Sequence, residues 1–171
     1  MNSRVEWKGY KVLKTDQTTH FGTIRFESGD VTIKEGKLQS GKFVADINTL
    51  ENIDLKDKQE MKTKLESHLK SGDFFEVEKF PTASYEITKV TEANGGDYNT
   101  LLDGNLTIKG ITKPVQFKAN VTVADGNVNI ATEPTDINRE DFGLKFTLPL
   151  ENGLLNKEIN LQVLIKAMES K

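Results

Sequence analysis

Cysteine is absent from the 171 residues, which excludes disulfide frameworks, thiolate metal sites and cysteine nucleophiles. Histidine is scarce: the chain has two, His20 and His68, in unrelated segments. Two histidines make at most a partial metal site, and capping or packing is the plainer role for each. No G-x-S-x-G elbow, P-loop or H-E-x-x-H motif occurs. Carboxylates are plentiful, but no spacing singles out an acid–base pair. No enzyme, metal or cofactor is therefore expected. No apolar run reaches the ~18–20 residues of a membrane-spanning helix. No block of Lys and Arg stands out and the net charge is −3, so nucleic acid is not expected as a partner. The opening Met1-Asn2-Ser3-Arg4 has no signal-peptide-like apolar stretch. That fits a cytoplasmic protein, or a mature chain whose leader was replaced by an initiator Met.

What the chain does have is a length for one domain, spanning 1–171, with 36% hydrophobic and 29% charged residues. A domain of this size buries roughly 70% of its unfolded surface, enough to stand without staples. Apolar residues alternate with period 2, the mark of half-buried strands. Ile24 and Phe26 share a face, as do Phe43, Ala45 and Ile47, then Tyr85 and Ile87. Tyr98, Leu102, Leu106 and Ile108 form another row, and Val115, Phe117, Ala119, Val121 and Val123 the longest. Ile159, Leu161, Val163 and Ile165 close the series. Turn signals punctuate it at Ser28-Gly29-Asp30, Glu35-Gly36-Lys37, Asn94-Gly95-Gly96-Asp97, Asp125-Gly126-Asn127 and Asn152-Gly153. Short turns force antiparallel pairing, because parallel strands need a long crossover. About eight strands at this spacing predict an all-β barrel or sandwich.

One segment departs from the pattern. Leu55–Ser71 is rich in helix formers, with Met61, Leu65 and Leu69 spaced four apart. Asp54 is placed to cap its start and Gly72 to stop it. The apolar pair Phe74-Phe75 follows, and then Phe80-Pro81.

The stretch His68-Leu69-Lys70-Ser71-Gly72-Asp73-Phe74-Phe75-Glu76-Val77, with Phe80-Pro81 after it, resembles the signature of the YceI-like family. Three more stretches match in the family's order: Gly41–Asp46, Gly104–Lys113 and Asn138–Leu144. Glu76 stands where Asp is frequent, and Asn105 where Asp or a hydrophobe is common. The segments Trp7–Lys11 and Thr19–Thr23 resemble a Bacteroidetes-type branch. The resemblance implies an eight-stranded antiparallel lipocalin-like barrel with one inserted helix near 55–71. It also implies an internal tunnel that binds long apolar molecules, typically polyisoprenoids, and an exported, periplasmic or secreted protein.

Such a tunnel depends on the inward residues. An eight-stranded barrel is just wide enough to be filled by side chains or to hold one small ligand. Inward rows that mix bulky and small residues fit a barrel's taper or a lined cavity, and the resemblance favours the cavity. The residues expected to line it are Phe26, Phe43, Ala45, Ile47, Met61, Leu65, Leu69, Phe74, Phe75, Tyr85, Leu102, Gly104, Leu106, Phe117, Ala119 and Val163. Gly104 stands out because a glycine in a strand often marks a close approach of ligand or backbone. Arg139 is either one half of a structural ion pair with Asp141 or the contact for a polar ligand head. The expected function is binding, transport or sequestration of a polyisoprenoid or isoprenoid quinone, with an apolar small molecule as partner. A homodimer is left open. The alternatives are a stress-linked scavenger of amphiphiles, fatty amides or drugs, a haem- or quinone-linked redox accessory, and a filled-core interaction domain.

Overall fold

A computed structural model describes residues 3–11, 19–54, 56–70, 75–93, 96–125, 127–144 and 155–168, with the backbone alone at 9–11, 19, 20, 68, 139, 155–158 and 168. The strands are β1 (Arg4–Lys11), β2 (Thr19–Lys34), β3 (Lys37–Asn52), β4 (Thr82–Glu92), β5 (Thr100–Ile108), β6 (Ile111–Ala124), β7 (Asn127–Thr132), β8 (Thr135–Asn138) and β9 (Leu155–Met168). A single α-helix among the described residues, α1 (Gln59–Leu69), lies between β3 and β4. Strands pair antiparallel in the order β1-β2-β3-β4-β5-β6-β7-β9-β8, and a β1–β9 ladder closes the sheet. Both β7 and β8 pair with β9 and act as one interrupted stave, so the result is the expected eight-stranded barrel with one helix.

The interruption has a chemical cause. Pro134 has no N–H to give a ladder, and pairing stops at Ala131↔Leu164 and resumes at Thr135↔Leu161. Thr132 spans the gap. Its hydroxyl accepts from the Val163 N–H at 2.8 Å and its carbonyl from Gln162 Nε2 at 3.2 Å.

Period-2 burial is clearest in β5, where Leu102, Leu106 and Ile108 point inward with Thr100 and Gly104. Two of the hairpins use left-handed turn residues: Glu35 (φ 55°) with Gly36 (φ 76°), and Lys109 (φ 52°) with Gly110 (φ 77°). Consecutive positive φ values make type I′ turns, whose twist matches that of the strands. Ser28-Gly29-Asp30, expected as a turn, instead lies inside β2. It pairs in regular register with Lys42–Val44, and the register shift falls just before it, at Glu27, a bulge that bends the long strand around the barrel. Gly29 has a packing reason: a Cβ there would sit 2.9 Å from the Phe43 ring.

The helix is shorter than 55–71. It begins at Gln59, past Asp54, whose carboxylate instead accepts from Phe21 N at 2.8 Å and Asn52 Nδ2 at 2.6 Å. Gly72 lies outside the described residues. Glu66 ties α1 to the barrel by accepting from the Asn52 N–H at 2.7 Å. Leu69 and Phe75 join the apolar cluster at this end, together with Phe142 and Leu144 from the 3₁₀ turn Arg139–Phe142 and the residues just after it. A second cluster, with Val31, Leu38, Phe117 and Val128, packs towards the β2–β3 hairpin.

Candidate apolar ligand site

The inward rows of the barrel surround a space of about 70 Å³ lined by members of both clusters. The whole apolar row of β9, Ile159, Leu161, Val163 and Ile165, lines it. Opposite are Phe26, Phe43, Ala45 and Ile47 from β2 and β3, Tyr85 from β4, Leu102 and Leu106 from β5, and Phe117 from β6. All eight side chains whose parity defines the inward face, Phe26, Phe43, Ile47, Tyr85, Leu102, Leu106, Phe117 and Val163, border this one space. A slip of one residue in any strand would have turned its row to solvent. Phe75 reaches the same space from beyond the helix.

Other expected wall residues stand elsewhere. Met61 is 51% exposed. Residues four apart on a helix drift about 40° per step, so by Met61 the stripe that buries Leu69 has turned about 80° off the barrel. Leu65 is half-buried against the helix-end cluster and Leu69 is buried in it, and neither lines the space. Ala119 is fully buried within the hairpin-side cluster, also off the wall. Gly104 points inward, but the group that approaches it is the protein's own: a Cβ there would lie 2.6 Å from the Tyr85 ring and against the Glu86 carbonyl. Phe74 lies outside the described residues, as do the side chains of His20, His68 and Arg139. Asp141 is exposed.

The Tyr85 and Thr132 hydroxyls at the wall are engaged. The Tyr85 hydroxyl is placed to donate to the Val115 carbonyl at 2.6 Å and lies 3.2 Å from that of Leu102. Burial, and then the negative charge of Asp103, push its pKa well above the usual tyrosine value of 10.0, so the phenol stays protonated. The Thr132 hydroxyl is taken by the bond to Val163 N. Tyr85 and Phe117 meet edge-on at 5.1 Å, and Phe26 and Phe43 at 6.2 Å. One buried donor has no acceptor among the described residues, the indole N–H of Trp7. Among the described residues no three His, Asp or Glu side chains are grouped to hold a metal ion.

The sequence rows do not extend to Val5, Ala83, Ser84, Ile130 and Thr132, which complete the wall. Val5 alternates with Trp7 in a strand too short to show a row, and Thr132 continues the inward parity of Val128 and Ile130 with a hydroxyl. Phe142 and Leu144 were visible as part of a motif, but their role as an end plug depends on the barrel.

Comparison with known proteins agrees with this architecture. A family profile described as YceI-like domain matches residues 1–167. The UPF0312 protein PA0423 of Pseudomonas aeruginosa is 31% identical over 170 residues, covering 96% of this chain and 78% of that one. The UPF0312 protein SA2479 of Staphylococcus aureus is 34% identical over 105 residues, 57% of each chain. Among solved structures, Burkholderia cenocepacia BcnA superposes with a TM-score of 0.74 at 19% identity, covering 97% of this chain and 96% of its own. The Campylobacter jejuni YCEI protein gives a TM-score of 0.63 at 20% identity, covering 86% and 85%. These two likenesses speak to the fold.

Proposed function

From a chain that belongs to the YceI-like family, we propose a non-enzymatic carrier or scavenger that holds a long apolar molecule, of the polyisoprenoid or isoprenoid-quinone class, inside the barrel. One observation carries the reading: a space inside the barrel whose wall is hydrocarbon apart from Ser84, Thr132 and the Tyr85 hydroxyl. With Tyr85 and Thr132 already hydrogen-bonded, a hydrocarbon guest strands neither, sparing the ~1–3 kcal/mol that an unpaired buried polar group costs.

At about 70 Å³ the space holds roughly two water volumes, whereas ligand pockets run to ~300–1,000 Å³. A lipid chain therefore enters by displacing aromatic side chains. Two wall aromatics, Phe26 and Tyr85, are half-buried at the edge of both clusters, and since the Tyr85 hydroxyl is bonded to the Val115 carbonyl, Phe26 is the one with room to move. The driving force is burial of apolar surface, about 25 cal/mol per Å², set against the ordering of chain and wall. Kinship alone supports a periplasmic or secreted setting, with a cytoplasmic one as the alternative.

The test is organic extraction of untagged protein followed by mass spectrometry, then native mass spectrometry of stripped protein titrated with a long-chain polyprenol. One polyprenyl chain per protein, with binding lost in Ala45→Leu, supports the proposal. A mixed extract of fatty amides and other amphiphiles points to the broad scavenger. Protein that yields no lipid and takes up no polyprenol overturns the carrier reading.

A further inference from the structure

Trp7 is the chain's single tryptophan, placed in β1 and packed at 9% exposure in the helix-end cluster. Its register neighbours are Gly22 on β2 and Leu161 on β9. The indole occupies the room that Gly22 leaves: a Cβ there would come 2.7 Å from Cζ2, a ring carbon bonded to the one that bears Nε1. The N–H side of the ring thus lies close to Gly22. The Glu51 carbonyl stands against the same position, yet the indole makes no hydrogen bond to it.

The missing bond is an exception in this core. Ser3, Asn52, Thr100 and Thr132 are the other buried polar side chains among the described residues, and each has a partner. An unpaired buried donor costs stability, and a phenyl ring in the same place would spare that cost. The orphan also adjoins the inner cavity. Leu161 lines that space, and so do Val5 and Ile24, which stand two residues along from Trp7 and Gly22, a step of ~7 Å on a strand.

We propose that Trp7 is the polar contact of the ligand site, and that its N–H donates to a neutral carbonyl oxygen carried by the guest's hydrocarbon chain. The inference rests on the carrier reading above and narrows its ligand class to chains that bear a ketone, quinone or ester carbonyl. The chemistry selects the atom. An indole donates and cannot accept, so its partner is an acceptor. A carbonyl oxygen brings no proton of its own to strand in the cluster, whereas an alcohol does. A carboxylate or phosphate would carry its charge among hydrocarbon and aromatic side chains, where desolvation is costly. The cavity is smaller than its guest, so loading displaces side chains, and a shift of Ile24 and Leu161 brings a guest atom to the indole.

Because the tryptophan is unique, its indole N–H gives a single proton–nitrogen signal in NMR. The probes are a polyprenyl methyl ketone, the hydrocarbon of the same length and the matching polyprenoic acid. The ketone is expected to move the indole proton downfield, and the hydrocarbon to leave it in place. Trp7→Phe is expected to weaken the ketone roughly tenfold and leave the hydrocarbon unchanged. Biosynthetic replacement of the tryptophan by benzothienylalanine, a ring of the same shape with sulfur for N–H, is expected to give the same result and separates the lost donor from lost packing. A bound ketone that leaves the signal unmoved, an equal shift with the hydrocarbon, or full ketone affinity in the sulfur-substituted protein overturns the Trp7 contact. An acid bound more tightly than the ketone overturns the neutral end. Wild-type protein that takes up none of the three probes, nor any polyprenol, refutes the carrier reading itself, an outcome distinct from these.

Discussion

The ring of Tyr85 lies over Gly104, close enough that a Cβ on Gly104 would come within 2.6 Å of it, and its hydroxyl lies 2.6 Å from the Val115 carbonyl on the far side of β5. The glycine thus gives up a side chain so that the tyrosine can cross β5. A Gly104→Ala variant is expected to lose ~1–3 kcal/mol through overpacking, read as a lower urea midpoint. The backbone carbonyl of Glu86 also stands in the way and cannot swing aside like a side-chain tip. Gly104→Trp is expected to fail to fold rather than to fill a tunnel. A Gly104→Ala protein of wild-type stability would overturn the packing argument.

Tyr85 also predicts a pH dependence. Its folded pKa is raised above the usual 10.0, first by burial and then by Asp103. Above pH 10 the unfolded chain therefore releases the phenolic proton while the folded chain keeps it, and stability falls as pH rises. The contribution is fully present below about pH 10 and is lost on the way up to the folded pKa. Tyr85→Phe should flatten the slope of unfolding free energy between pH 9 and 11 relative to wild type, and cost about 1 kcal/mol at pH 7. Denaturant titrations at these pH values measure both.

The helix offers an internal contrast. Leu69 is 5% exposed and Met61 is 51% exposed, although the sequence puts them on one stripe. Leu69→Ala is expected to cost ~2–5 kcal/mol, and Met61→Ala to stay within about 0.5 kcal/mol of wild type. If Met61→Ala weakened polyprenol binding while leaving stability unchanged, the helix face would belong to the ligand site after all.

Phe142 plugs the helix end of the barrel at 2% exposure, beside Leu144 at 0%. Phe142→Ala should therefore destabilise by ~3–5 kcal/mol. The single tryptophan, Trp7, is buried in the same cluster and reports on it. Its emission should be blue-shifted in the folded wild type and move to the red with the chemical midpoint. A red-shifted native spectrum would contradict its burial.

Alternation along the chain was enough to read β2 to β6 and β9, their antiparallel pairing and the face each of these turns inward. A period of two places every second side chain on one side, and a half-buried sheet tolerates no other phase. That is why Phe26, Phe43, Ile47, Tyr85, Leu102, Leu106, Phe117 and Val163 meet around one space. Spacing says nothing about what lies across the barrel, and there the tertiary structure decided. It filled the room above Gly104 with the Tyr85 ring, turned Met61 to solvent through helical drift, and ran β2 straight through Ser28-Gly29-Asp30 as paired strand. Each of these depends on contacts between residues far apart in the chain, which local patterning does not encode.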